Sequence, residues 1–275
     1  ITLAAGAIAD NNGAGTLNVT AGLLDATAPT GIDLDTAISF LTAASTNSAI
    51  SIRETNGVAV NTVNAGTGNV TLTLAAGAIS DNNGSGTLNV TAGLLNATGP
   101  TGIDLDTAIA QLTAAATNSP ITIRETNGVA VNTVNSGTAT TTITLAAGAI
   151  SDNNGSGTLN VTAGLLNATG PAGIDLDTAI TQLTASSTNS AITIRENNGL
   201  AVNTVTAGTG AVTLVLAAGA ITDNDLDGND GATLNITAAS ATLVAASGIG
   251  SADSLETAVS TLAAENTTSG NIVVF

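Results

Sequence analysis

One passage of this chain returns at a fixed interval of 71 residues, and this interval limits the folds that the chain can adopt. Residues 80–95 and residues 151–166 are identical, and similar passages follow Ile1 and Leu214. The last of the four tandem copies is divergent and incomplete. The copies are 1–71, 72–142, 143–213 and 214–275. Because no linker separates them, we predict one continuous array in which residues 71 apart lie above one another.

Short alternating stretches within each copy predict β-strands. Residues 69–75 and 129–134 alternate between polar and apolar side chains. Segments rich in Asn, Asp and Gly, such as residues 81–86, follow such stretches and are typical of tight turns. Since the same short strands return at a fixed interval, we predict an all-β parallel β-helix (β-solenoid) with about three coils per copy. Two coils plus a protruding element per copy is the alternative.

A different period appears at residues 104–112 and at the equivalent positions of the other copies. One face of a helix would contain Leu105, Ala108, Ile109 and Leu112. Asp104 precedes this stripe and offers an oxygen to the free amides of a helix N-terminus. We therefore predict about one short helix per copy. An alternating β-strand over the same letters is the alternative.

The charge balance argues against two classes of partner. The chain has 20 acidic residues, three Arg, no Lys and no His, and its formal net charge is −17. Nucleic-acid backbones and anionic membrane surfaces attract clusters of Lys and Arg, so we expect neither partner. No apolar run approaches the roughly 18 residues of a membrane-spanning helix, and we expect no membrane insertion. The chain starts in mid-pattern at Ile1, as expected for a segment of a longer protein.

Pairs of Asp two residues apart suggest a catalytic interpretation. On a strand, two such carboxylates would lie about 7 Å apart, within the roughly 6.5–9.5 Å of inverting glycosidases. However, the chain has no His, Lys or Tyr to assist, and each of the first three copies has the pair, whereas an active site is usually built once. We predict that the pairs cap helices and that the chain is not an enzyme. The pairs are Asp33 and Asp35, Asp104 and Asp106, and Asp175 and Asp177.

Two further motifs favour structural interpretations. Arg53 and Glu54 recur as Arg124 with Glu125 and as Arg195 with Glu196, which predicts a local ion pair or a charge at a strand end. The tripeptide Asn-Val-Thr matches a glycosylation sequon, but it carries little weight in a chain so rich in Asn and Thr.

The fourth copy contains a candidate calcium loop. Three Asp at alternate positions followed by a Gly resemble the first half of a calcium-binding loop, although the Glu expected later is replaced by Leu234. A solvated acidic turn is the alternative, and we expect no other cofactor. The candidate ligands are Asp223, Asp225, Asp227, Asn229 and Asp230.

Residues 58–84, 88–95 and 247–275 resemble the large repetitive β-helical proteins of bacterial surfaces, of which filamentous-haemagglutinin-like adhesins are the best known. The resemblance implies a right-handed β-helix, secretion to the cell surface, and a role as an adhesin or stalk in attachment, aggregation or biofilm. The partners would be an unknown surface receptor and further copies of the chain. A subunit of a self-assembling extracellular filament is the alternative function.

Overall fold

The computed structural model of the protein describes residues 1–224, 233–251 and 253–275. The chain divides into two compact units, Ile1–Ala139 and Thr140–Phe275. Each unit is an all-β parallel solenoid, and the two together contain about 12 turns. The prediction of a parallel β-solenoid is therefore confirmed. Within the described residues no helix occurs, and hence none that could cross a membrane.

Among the described residues, each unit has ten strands. Those of the first unit are β1 (Val19–Thr27), β2 (Ile32–Ala44), β3 (Ile50–Glu54), β4 (Val58–Asn64), β5 (Val70–Leu74), β6 (Ile79–Asp81), β7 (Val90–Thr98), β8 (Ile103–Ala115), β9 (Ile121–Glu125) and β10 (Val129–Asn135). Those of the second unit are β11 (Thr140–Leu145), β12 (Ile150–Asp152), β13 (Val161–Thr169), β14 (Ile174–Ser186), β15 (Ile192–Glu196), β16 (Leu200–Thr206), β17 (Ala211–Leu216), β18 (Ile221–Asp223), β19 (Ile236–Ala245) and β20 (Thr257–Asn266).

Aliphatic ladders fill the interior of each solenoid. In the first unit the parallel register joins successive coils at Ile32, Ile50, Val70, Leu95, Leu112 and Val131. Each of these side chains is at most 2% exposed. Complete burial of one such side chain stabilises the fold by about 1.5–3 kcal/mol, so the stacked aliphatics are the main source of cohesion between coils. Small Ala, Val, Leu and Ile suit this narrow interior, which explains why a chain almost without aromatics has a core.

One 71-residue copy spans about three and a half coils, half a coil more than expected. The successive ladder partners of Leu24 are Leu41, Val60 and Asp81. Leu95, the residue equivalent to Leu24, follows Asp81 about midway through the next coil and belongs to a different ladder. Residues 71 apart therefore do not stack, and our expectation that they would was wrong. Within the first unit, equivalent residues of the first two copies lie in different ladders instead.

The predicted helix is a strand. Residues 104–112 lie inside β8, which pairs in parallel with β7 on one side and β9 on the other. Leu105, Thr107 and Ile109 alternate into the interior, as the alternative interpretation required. A helix here would leave the backbone N–H and C=O groups of both neighbouring strands without hydrogen-bond partners. The free-energy cost of these lost hydrogen bonds exceeds the small gain from an N-cap and an apolar helix face. The same correction applies to β2 and β14.

Candidate functional site

An ion-pair cluster joins three neighbouring coils of the second copy. Arg124, on β9, lies directly beside Asp106 on β8 in the parallel register. Its guanidinium nitrogens lie 2.6 Å from Asp104 Oδ1 and 2.9 Å from Asp106 Oδ2. Asp81, at the end of β6 in the preceding coil, lies 3.7 Å away. One guanidinium therefore bridges carboxylates from both coils that precede it.

The same cluster occurs in the first and third copies. Arg53 lies 2.6 Å from Asp33 and 3.0 Å from Asp35, and Arg195 lies 2.6 Å from Asp175 and 2.9 Å from Asp177. The more distant third carboxylates are Asp10, at 3.5 Å, and Asp152, at 3.8 Å.

The acidic pairs thus neither cap helices nor stand as a free acid and base. In the second copy the side chain of Asp104 is 54% exposed, whereas that of Asp106 is 7% exposed. Both carboxylates are held by the same guanidinium, and Asp106 Oδ1 also accepts a hydrogen bond from Gly86 N at 3.0 Å. The predicted local ion pair of the arginines is confirmed, and its partners are the Asp pairs.

A buried amide holds the loop that covers this cluster. Asn89 is 1% exposed, and its Oδ1 accepts a hydrogen bond from Asp106 N at 2.7 Å. Its Nδ2 lies 2.9 Å from both Asp81 Oδ1 and Val60 O, and 3.0 Å from Asn83 Oδ1. Every polar atom of the side chain is used, and the bonds connect three coils. A glycan at this nitrogen would have to displace the whole network, so the sequon is not accessible in the folded chain.

Loop residues 81–89 fold tightly around this amide. Gly84 and Gly86 have φ angles of 82° and 95°, which side chains with a Cβ rarely adopt. Asp81 Oδ1 accepts hydrogen bonds from the backbone N–H groups of Asn83, at 2.9 Å, and Gly84, at 3.1 Å. The Asn-Asn-Gly letters therefore specify a turn in which two consecutive backbone N–H groups donate to one Asp.

Burial and hydrogen bonding act oppositely on the pKa of the loop aspartates. Burial disfavours the charged form of Asp81, but hydrogen bonds from Asn89, Asn83 and Gly84 outweigh it and lower its pKa. The same causes lower the pKa of Asp152 in the third copy. Both groups are therefore ionised at neutral pH and contribute charge to the cluster.

In each of the first three copies a further carboxylate, that of the Glu after the Arg, is buried inside the coil. Glu125 is 2% exposed, and its oxygens accept hydrogen bonds from Thr107 Oγ1 at 2.7 Å, Ile109 N at 3.0 Å and Asn127 N at 3.0 Å. Burial nevertheless raises the pKa of Glu125, and it does the same for Glu196. The predicted charge at a strand end is thus an internal brace between the strand and the following turn.

One of the five candidate calcium ligands lies among the described residues. Asp223 is 5% exposed, and its Oδ1 accepts a hydrogen bond from Asn235 Nδ2 at 2.6 Å. In the first three copies the equivalent Asp belongs to the loop that covers the ion pairs. The other four candidates, Asp225, Asp227, Asn229 and Asp230, lie outside the described residues. Among the residues that are described, no group of three or more His, Cys, Asp or Glu is arranged to hold a metal.

Sequence reasoning missed the residues that organise the site. Asn18, Asn89, Asn160 and Asn235 occupy one position of the repeat, and each accepts a hydrogen bond from the backbone of the next coil. The signal was present, because this Asn is kept even in the divergent fourth copy. A residue needed only for an exposed turn would not be expected to be retained in this divergent copy.

Comparison with protein-family models, with curated proteins and with solved structures gives no match.

Proposed function

We propose that the chain is a structural repeat region of a secreted cell-surface adhesin or stalk that acts in attachment, aggregation or a biofilm matrix. The supporting observation is that the first three copies use their Arg and Asp side chains in the same way, as bonds between neighbouring coils. Selection for one reactive site would be expected to treat one copy differently. Equal use in these three copies supports a role in which copy number sets length.

The proposed location outside the cell agrees with how the chain is stabilised. It has no Cys, so its cohesion does not depend on the redox state of its surroundings. Coil-to-coil hydrogen bonds, aliphatic ladders and the repeated ion pairs supply the stability instead. A net charge of −17 also keeps individual chains soluble.

Length provides the first test. Chains with one or two additional copies of residues 72–142 would be compared with the original by small-angle X-ray scattering. The stalk proposal predicts that the maximum dimension increases by roughly 17 Å per copy, which is three and a half coils at about 4.8 Å each. Growth in all dimensions equally would contradict it. A mass that rises steeply with concentration would favour the self-assembling filament.

Attachment provides the second test. Cells of a non-adherent host that display the chain on their surface would be compared with cells that display a matched chain of reduced stability, Asn89→Ala with Asn160→Ala. The adhesin proposal predicts more attachment or aggregation with the original chain, at equal surface density. Equal attachment of both cell populations would contradict the adhesin role and would favour a chain that acts only as a spacer.

A further inference from the structure

Each of the first three copies contains the dipeptide Asn-Gly twice, and the structure places the two occurrences in opposite environments. One lies in the loop over the ion pairs, for example Asn83–Gly84 and Asn154–Gly155. The other lies in the turn after the buried Glu, at Asn56–Gly57, Asn127–Gly128 and Asn198–Gly199. Asn-Gly is the pair most open to succinimide formation, because Gly does not hinder attack by its own backbone nitrogen.

In the loop both reacting groups are held. The Gly84 N–H, which would have to attack, donates to the Asp81 carboxylate at 3.1 Å. The amide of Asn83 donates from Nδ2 to Asn61 O at 2.7 Å and to Leu88 O at 3.2 Å. In the third copy Gly155 N donates to Asp152 Oδ1 at 3.0 Å. Attack requires these bonds to break and the covering loop to open.

In the turn the side-chain amide of the Asn is accessible. Residues 55–57 are exposed, and Asn56 Nδ2 donates to its neighbour Thr55 Oγ1 at 3.1 Å. Asn127 Nδ2 makes the equivalent bond to Thr126 Oγ1 at 3.2 Å. These contacts are local and face solvent, so the side-chain carbonyl carbon is free to rotate toward the following amide nitrogen.

We propose that Asn56, Asn127 and Asn198 are sites of spontaneous deamidation through a succinimide, whereas Asn83 and Asn154 are protected by the fold. The backbone nitrogen of the following Gly forms a bond to Cγ of the Asn and loses its proton. The Cγ–Nδ2 bond breaks, and Nδ2 leaves as ammonia. Water then opens the ring at one of its two carbonyls, which leaves an aspartyl or an isoaspartyl residue.

The modification would act on the buried carboxylate beside it. The backbone N–H of Asn56 donates to Glu54 Oε1 at 3.1 Å, and Asn198 N donates to Glu196 Oε1 at 2.9 Å. A new carboxylate next to this turn repels the buried Glu, and an isoaspartyl link adds a methylene to the backbone of the turn. Each event therefore loosens one brace of the coil while adding a negative charge to the surface.

Peptide mapping by mass spectrometry tests the proposal. The folded chain would be incubated at mildly alkaline pH, and conversion at each Asn-Gly would be followed with time. A charge-assisted hydrogen bond that must break before attack slows the reaction by about tenfold to a hundredfold. We expect Asn56, Asn127 and Asn198 to convert faster than Asn83 and Asn154 by at least this factor. Equal rates at the two kinds of site would overturn the proposal.

Two controls separate the fold from the local sequence. In urea, where the chain is unfolded, the rates at all these sites should become similar, and persistence of the difference would show that the fold is not its cause. The variant Asp81→Ala removes the acceptor of Gly84 N, so conversion at Asn83 should accelerate toward that of Asn127. Asn154 in the same molecule should stay protected, which reports that the rest of the chain is folded. No acceleration at Asn83 would refute the protective role of Asp81.

Discussion

The third and fourth copies solve the same packing problem with different charges. In the third copy Asn160 connects Asp152 with the backbone of Asp177, and Arg195 bridges Asp175 and Asp177. In the fourth copy Asn235 makes the same two connections, to Asp223 Oδ1 at 2.6 Å and from Glu256 N at 2.8 Å. The fourth copy has no Arg.

The fourth copy also changes the residue pair that the arginine would bridge. Ser254 replaces the exposed Asp of the other copies, and its Oγ donates to Glu256 Oε1 at 2.7 Å. The hydroxyl thus replaces one carboxylate of the pair and donates to the other, a contact that needs no guanidinium. The comparison separates a general requirement, the buried amide, from an optional one, the ion pair.

Loss of the buried amide should have the largest effect. Asn160→Ala leaves Asp177 N and Asp152 Oδ1 without this partner in a buried position, and we expect a loss of about 3 kcal/mol in the free energy of unfolding. Asn235→Ala should reduce the free energy of unfolding by a similar amount, because Asn235 makes the equivalent two hydrogen bonds in the fourth copy. Urea denaturation followed by circular dichroism measures both.

The matched control for this prediction is Asn197→Ala, in an exposed turn of the same unit. Only the backbone N–H of Asn197 is used, and it donates to Thr178 O at 2.9 Å, so the change should stay within about 0.5 kcal/mol. If Asn160→Ala were equally mild, the amide would not be the common requirement of the two copies.

Loss of the guanidinium should have a smaller effect. Arg195→Ala leaves the nearly buried Asp177 beside Asp175 without a positive charge, which we expect to cost about 1–2 kcal/mol because the pair is only partly buried. Arg195→Lys should recover little, since one ammonium cannot copy the two contacts to Asp177 and the one to Asp175. The measurement is again urea denaturation.

The fourth copy suggests the rescue of that variant. Asp175→Ser in the Arg195→Ala background imitates Ser254 and removes one of the two like charges, so it should restore part of the lost stability. In the original chain the same Asp175→Ser should be neutral or slightly destabilising, because it removes a partner of Arg195. A double variant weaker than Arg195→Ala alone would mean that the two copies are stabilised by unrelated means.

The sequence was sufficient for the strands and for the solenoid, because alternation and a fixed interval are properties of the letters. It was not sufficient at residues 104–112, where helical and alternating patterns coincide. The strand is favoured because the neighbouring coils need backbone hydrogen-bond partners at these residues. A short stretch of sequence contains no information about those coils. The half coil was missed for a related reason. The number of residues in a coil depends on how many residues bulge out of the register at each turn. This number differs from turn to turn.

The site was predicted in part. The acidic pairs and the arginines were identified, but they were assigned to separate roles because the offset that brings Arg124 beside Asp106 follows only from the register. The central Asn was considered only as part of a glycosylation sequon of little weight. Its presence in all four copies was the better signal, and burial gives the physical reason for it.

A change of pH should give the smallest effect, and it distinguishes the inner carboxylates from the loop carboxylates. Burial raises the pKa of Glu125 and Glu196, so the folded state binds their protons more readily than the unfolded state. Stability should therefore rise as the pH falls through the pKa of these groups in the folded chain, toward the unfolded value of 4.5. Asp81 and Asp152 have lowered pKa values, so their contribution is complete above 3.8 and is lost as the pH falls from there through their folded values.

Urea midpoints measured across this range should thus pass through a maximum in mild acid. Glu125→Gln with Glu196→Gln should flatten the rise between neutral pH and the maximum and leave the acid limb in place, because the Asp groups that cause it are unchanged. General relief of charge repulsion in a chain of net charge −17 would instead leave the rise intact in this variant. A free energy of unfolding that falls steadily as the pH is lowered from neutral would contradict the claim that burial disfavours the charged form of Glu125 and Glu196.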